Sequence, residues 1–107
     1  MSKRKTLPVI FRAERSGEFK GEVTAVFPTI LGASDWRSFT VYAHCGQHSV
    51  GWPGWYAKTR SAKPEEYAPL LRELRGIYES PPYYLCPLRV VSRMTAAHEK
   101  ARREALS

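Results

Sequence analysis

The sequence predicts a small α+β domain: an antiparallel sheet, with one main amphipathic helix on one face and a short C-terminal helix. Three observations predict it. Short β-rich runs, at Leu7–Arg12, Glu22–Phe27 and Ser38–Cys45, fill the first half, the last two alternating in side-chain character. A stripe at helical spacing follows, made of Tyr67, Leu70, Leu71, Leu74, Ile77 and Tyr78. The length, 107 residues, leaves room for one core and one domain. Residues 1–6 are expected to form a flexible basic arm, and 7–107 the single domain.

The first run, L-P-V-I-F-R, tolerates Pro8 only at its start or on an edge. Turn chemistry at Glu14–Glu18 then leads into the second run, so the two are expected to pair as a hairpin. There Val23, Ala25 and Phe27 alternate with Glu22, Thr24 and Val26, as in a strand covered mainly on one face. Pro28 and the turn residues Gly32–Asp35 separate it from the third strand. That strand alternates most cleanly. Phe39, Val41, Ala43 and Cys45 are assigned to the core, and Thr40, Tyr42 and His44 to the polar face.

No regular element is expected from Gly46 to Lys63. A stretch that long usually carries function, and its aromatics predict an ordered flap. Pro64 suits the first helical position, and Glu65 and Glu66 suit the first turn, where the helix dipole favours anions. Lys63 is a poor cap because its side chain accepts no hydrogen bond. Pro69 removes one backbone donor, and Ser80-Pro81-Pro82 stops the helix. Tyr67, the leucines and Ile77 are read as core. A fourth strand is expected within Leu88–Arg93, with Leu88 and Val90 inward and Arg89, Val91 and Arg93 outward. It should run parallel to the first and third strands, beside one of them. Thr95 can cap a last helix over Ala96–Leu106.

Composition narrows the function classes. No apolar run is long enough to span a membrane, and the basic start Met1–Lys5 has no apolar stretch behind it, so a cytoplasmic location is expected. Cys45 and Cys86 are too few and too separated for a disulfide framework or a zinc site. The net charge of +7 and pI near 9.7 favour attraction to polyanions and oppose a DNA-mimic role. The partners this composition fits are nucleic acid or another protein, with no membrane.

The stretch Tyr42–Tyr56 concentrates the candidate chemistry. It holds two of the three histidines and two of the three tryptophans. His44 and His48 have the spacing of a metal pair only on a helix, and no acid stands near to complete a ligand set; no metal or cofactor is expected. His44 and Cys45 are neighbours on a strand and point to opposite faces, which rules out a Cys–His nucleophile pair there. The candidate binding surface is Tyr42, His44, Gln47 and His48 from the polar strand face, with Trp52, Trp55, Tyr56, Lys58 and Arg60 from the aromatic loop. Bases stack on such aromatics while cations hold phosphates. Trp and Tyr are equally the anchors of protein interfaces, or simple cover for the sheet end. All three readings stand on the sequence.

Several segments, taken in order, carry a resemblance: V-I-F-R at Val9–Arg12, A-V-F-P at Ala25–Pro28 and Y-A-H-C-G-Q-H at Tyr42–His48, then K-P-E-E-Y-A-P-L-L at Lys63–Leu71 and L-R-V-V-S-R at Leu88–Arg93. From Val9 to Arg103 the chain resembles a family of small uncharacterised proteins of bacteria, plasmids and phages. Relatives carry Ser or Thr where this chain has Lys63, and a shorter link than Ser80–Cys86. The resemblance assigns no catalytic residue. It implies no established activity; with the aromatic loop and outward sheet face, the expectation is a non-catalytic binding protein of a mobile-element or phage-related locus, for which the charge suggests nucleic acid as ligand. A protein–protein adaptor or inhibitor of a host factor, such as a defence component, is the alternative. An enzyme centred on Tyr42, His44 and His48 comes third.

Overall fold

The sheet is assembled around β1 (Leu7–Glu14), which pairs with three other strands. A computed structural model describes residues 6–43, 47–79 and 87–107. β1 turns back through a loop in which Gly17 and Gly21 adopt φ of 85° and 88°, the left-handed region open to glycine. The returning β2 (Val23–Phe27) pairs antiparallel with β1, placing Ile10 opposite Val26 and Arg12 opposite Thr24. β3 (Phe39–Ala43) and β4 (Gln47–Gly51) extend the meander outward, so β4 is the edge strand.

Most of the stretch expected to be irregular is regular among the described residues. Gln47–Gly51 forms β4, Pro53–Lys58 forms a short helix, α1, and Thr59–Ser61 forms β5. Glycine and tryptophan are poor local predictors here because pairing with β3 supplies what propensity does not. Gly51 illustrates this: a Cβ there would lie 2.5 Å from the Phe39 ring and 2.6 Å from Val41, so only glycine fits the ladder at that point. α1 leads from the β4 edge to β5, which pairs antiparallel with the far end of β1. α2 (Pro64–Tyr78) follows, and then β6 (Leu88–Val90), which runs parallel to β1, with Leu7 opposite Leu88. The fourth predicted strand thus lies beside the first.

Both faces of the sheet are buried, and this corrects the facing read from alternation. Leu70 and Leu74 of α2 pack on Val9, Phe11, Ala25, Phe27 and Tyr42. Phe39 and Val41 belong to a separate cluster on the opposite face, with Ile10 and Val26 and with Trp55, Tyr56, Val91 and Met94 against it. Tyr42, assigned to a polar face, is only 3% exposed. Val26 is likewise fully buried, so β2 is not covered on one face alone. A two-sided sheet makes both alternating sets apolar, and the period then tells faces apart without saying which helix covers each.

α2 runs through Pro69, and burial of Leu70 and Leu74 sustains it there. The Glu66 carboxylate accepts from the Lys63 amide at 2.8 Å, capping the helix from within rather than from the Lys63 side chain. Ile77, expected in the core, is 36% exposed near the end of the helix. Val90, expected inward, is 37% exposed, and it is Val91 that packs inward on the second cluster. Thr95 caps α3 (Ala96–Ala105) by accepting from the His98 amide, while His98 Nδ1 accepts from the Thr95 amide. Arg102 of α3 is 3% exposed and donates to the backbone oxygens of Pro28 and Trp36. This docks a ten-residue helix that would be marginal alone. No helix among the described residues is long and apolar enough to cross a membrane.

Candidate functional site

The structure divides the predicted site between the two faces of the sheet. Tyr42 and His48 stand opposite each other on β3 and β4, facing α2, with ring centroids 4.8 Å apart. The Tyr42 hydroxyl donates to Glu73 of α2. His48 Nε2 shares a hydrogen bond of 2.7 Å with the Tyr78 hydroxyl, and its ring lies 6.2 Å from that of Phe27. Desolvation raises the Tyr78 pKa above the ordinary phenol value, so this hydroxyl stays protonated. The arrangement latches the β3–β4 hairpin to the end of α2 with paired polar groups. Nothing in the sequence singles out Glu73, and helical spacing places Tyr78 only in an apolar stripe. Both sit on a helix distant in sequence, and only the packing shows their role.

Gln47 opens β4 opposite Ala43, and His44 lies outside the described residues, as do Cys45 and Cys86. Among the described residues no group of three His, Cys, Asp or Glu side chains converges as metal ligands would.

Trp55 and Tyr56 lie across the sheet from this latch, against the Phe39 cluster. The Tyr56 ring meets Phe39 edge-on at 6.1 Å, and the Arg12 guanidinium sits 4.4 Å above the Tyr56 ring. Arg12 also donates to Thr59 Oγ1 at 2.8 Å, to the Thr59 carbonyl at 2.7 Å and to Ser61 Oγ at 3.2 Å. Tyr56 and Arg12 together thus lock α1 and β5 onto β1. The Trp55 indole donates to Glu14 Oε1 at 2.9 Å. Arg60 grips Glu66 through two bonds of 2.8 and 2.7 Å. That grip, followed by the Lys63 amide, draws the Glu66 pKa down from 4.5 to about 2. Lys58, on the last turn of α1, is exposed.

What remains accessible is a groove of about 340 Å³ on the α1 side of the sheet. Thr24, Ala43, Ser49 and Gly51 are among the residues that floor it, and Trp52 and Trp55 wall it. Its shape follows from the register. Thr24 stands opposite Ala43, and Val41 opposite Ser49, so small side chains from three strands line up beyond the reach of α1. Trp52, just before α1, is 44% exposed at this groove. The sequence does not mark Thr24 or Ser49 as site residues, because a small residue marks a groove only once its cross-strand neighbours are known.

A second concavity, about 260 Å³, opens where β5 and β6 end beside each other on β1. It is floored by the Phe11–Tyr67 stack, with rings 4.4 Å apart, and none of the predicted site residues reaches it. No protein-family model, curated protein or solved structure matches this chain.

Proposed function

We propose that this chain is a non-catalytic binding protein of a mobile-element or phage-related locus, and that its ligand lies in the Trp52–Trp55 groove. The observation that carries this reading is the exposed indole of Trp52 beside a floor of small residues, a shape that admits a flat or extended group against an aromatic wall. The enzyme reading has less support. Tyr42 and His48, which would anchor it, are bonded to Glu73 and Tyr78 and act as structural ties.

Nucleic acid is the ligand favoured by the net charge of +7. A protein ligand is favoured by the local pairing, because Glu66 neutralises Arg60 and Glu14 engages Trp55 beside the groove. Fluorescence anisotropy with labelled single- and double-stranded oligonucleotides, across a salt series, separates the two. Nucleic-acid binding gives an affinity that falls steeply with salt and weakens in Trp52→Ala without a change of slope. No binding at low salt removes nucleic acid and leaves the protein adaptor.

A further inference from the structure

We propose that the outer edge of β4 receives an extended acidic peptide from a partner protein as an added strand, with alternate side chains of that peptide entering the Trp52 groove. The inference rests on the groove being a ligand site and takes up its protein form. The Thr40 amide donates to the Ile30 carbonyl, on the β2 side of β3. Thr40 and Val50 therefore face each other as a pair without ladder bonds. Antiparallel alternation then turns the N–H and C=O of both Val50 and His48 outward, away from β3. No strand lies beyond β4 among the described residues.

Natural edge strands are commonly blunted by lysine, proline or a bulge. β4 reads Q-H-S-V-G, with none of these residues, and pairs with β3 residue for residue from Phe39 opposite Gly51 to Ala43 opposite Gln47. Such an edge offers a template for strand addition, in which main-chain bonds supply affinity and side-chain pockets supply selectivity. The groove is continuous with this edge, since Ser49 and Gly51 of β4 line it.

Charge selects the occupant. No Asp or Glu occurs between Asp35 and Glu65, a span that contains β3, β4 and α1; Arg37 and Arg60 in it are paired with Asp35 and Glu66, and Lys58 of α1 is exposed. The net charge of +7 attracts an acidic segment and repels a second copy of the chain.

The test uses the full chain and a library of nine-residue peptides in which Asp or Glu alternates with Val, Ile, Phe or Tyr. Enriched peptides are expected to slow hydrogen exchange at the His48 and Val50 amides and to shift the Trp52 emission. N-methylation of the peptide residues that bond to β4 should weaken binding about tenfold per methyl, the order of one lost hydrogen bond, while methylation in the other register should not. Val50→Pro, which deletes an outward donor, should produce a similar loss. A peptide that shifts Trp52 emission without protecting those amides sinks strand addition and leaves the groove standing. If no peptide is enriched, strand addition also fails. If neither peptides nor oligonucleotides perturb Trp52, the groove reading falls with it. Concentration-dependent protection of the same amides without peptide would make a second copy the occupant and overturn the proposal.

Discussion

The Trp55 indole donates to Glu14 Oε1 at 2.9 Å, tying the short helix α1 to the far end of β1 across 41 residues of sequence. α1 has only six residues and no fully buried side chain, so it holds its place through contacts of this kind. Trp55→Phe keeps the ring and deletes the donor. It should cost about 1–2 kcal/mol, as for a hydrogen bond to a charged acceptor that is partly solvated. Trp52→Ala should stay within about 0.5 kcal/mol, because the indole stands largely clear of the core. Urea unfolding of the two variants would check the contrast, and equal losses would mean that Trp52 is structural cover.

The two faces of the sheet should respond independently to truncation. Leu74→Ala, facing α2, is expected to cost about 2–5 kcal/mol, and Phe39→Ala, on the opposite face, about 3–5 kcal/mol. Leu74 and Phe39 fall in separate clusters, so the double variant should come close to the sum of the two. Leu71→Ala should cost less than Leu74→Ala, because Leu71 is only partly buried. Strong coupling between Leu74 and Phe39 would contradict the two-core arrangement.

Arg102 is held without a carboxylate, on the carbonyl oxygens of Pro28 and Trp36 and near the Phe39 ring at 5.6 Å. Burial pulls its pKa down from the usual guanidinium value, but the arginine range is high enough that the charge is kept. Arg102→Met removes the donors and leaves the Pro28 carbonyl buried and unpaired, which should cost about 1–3 kcal/mol. The loss should appear first as faster hydrogen exchange along α3 (Ala96–Ala105).

Acid should weaken the fold in two separate windows. Glu66 and Asp35, each hydrogen-bonded by an arginine, have pKa values lowered to about 2 from 4.5 and 3.8. Their contribution is complete above the ordinary carboxylate range and is lost as pH falls toward 2. His98 has its pKa lowered from 6.5, first by burial and then by Arg89 and Arg102. A base whose folded-state pKa is depressed favours folding above its unfolded value, so stability should begin to fall as pH drops below about 6.5. Urea melts from pH 8 to pH 2 should therefore decline in an upper and a lower step. Glu66→Gln should shrink the lower step alone. Its effect should be modest, because the Arg60–Glu66 pair is solvent-screened.

Much of the scaffold was legible in the residues themselves. The period of Tyr67, Leu70, Leu71 and Leu74 marked α2, Pro64 marked its start, and Thr95 marked the cap of α3. These signals are local: they depend on residues within a turn or two, and the backbone there follows side-chain chemistry directly. The three-stranded meander was legible for the same reason. Alternation is a property of each strand and survives whatever the strand packs against.

Tertiary structure decided the rest. Whether Tyr42 or Phe39 faces α2 depends on which crossover covers each side of the sheet, and no residue in either strand encodes that choice. β4 and β5 exist because β3 and β1 offer unpaired edges to a stretch whose own propensity is weak. The same pairing removed Arg60 from the free cations, joined His48 to Tyr78, and left Trp52 exposed at a groove whose small-residue floor comes from three strands. The aromatic and cationic residues were visible in the chain. Which of them hold the fold together and which remain available to a partner was set by long-range hydrogen bonding, because a side chain already bonded to a distant part of the chain must break that bond to take a ligand.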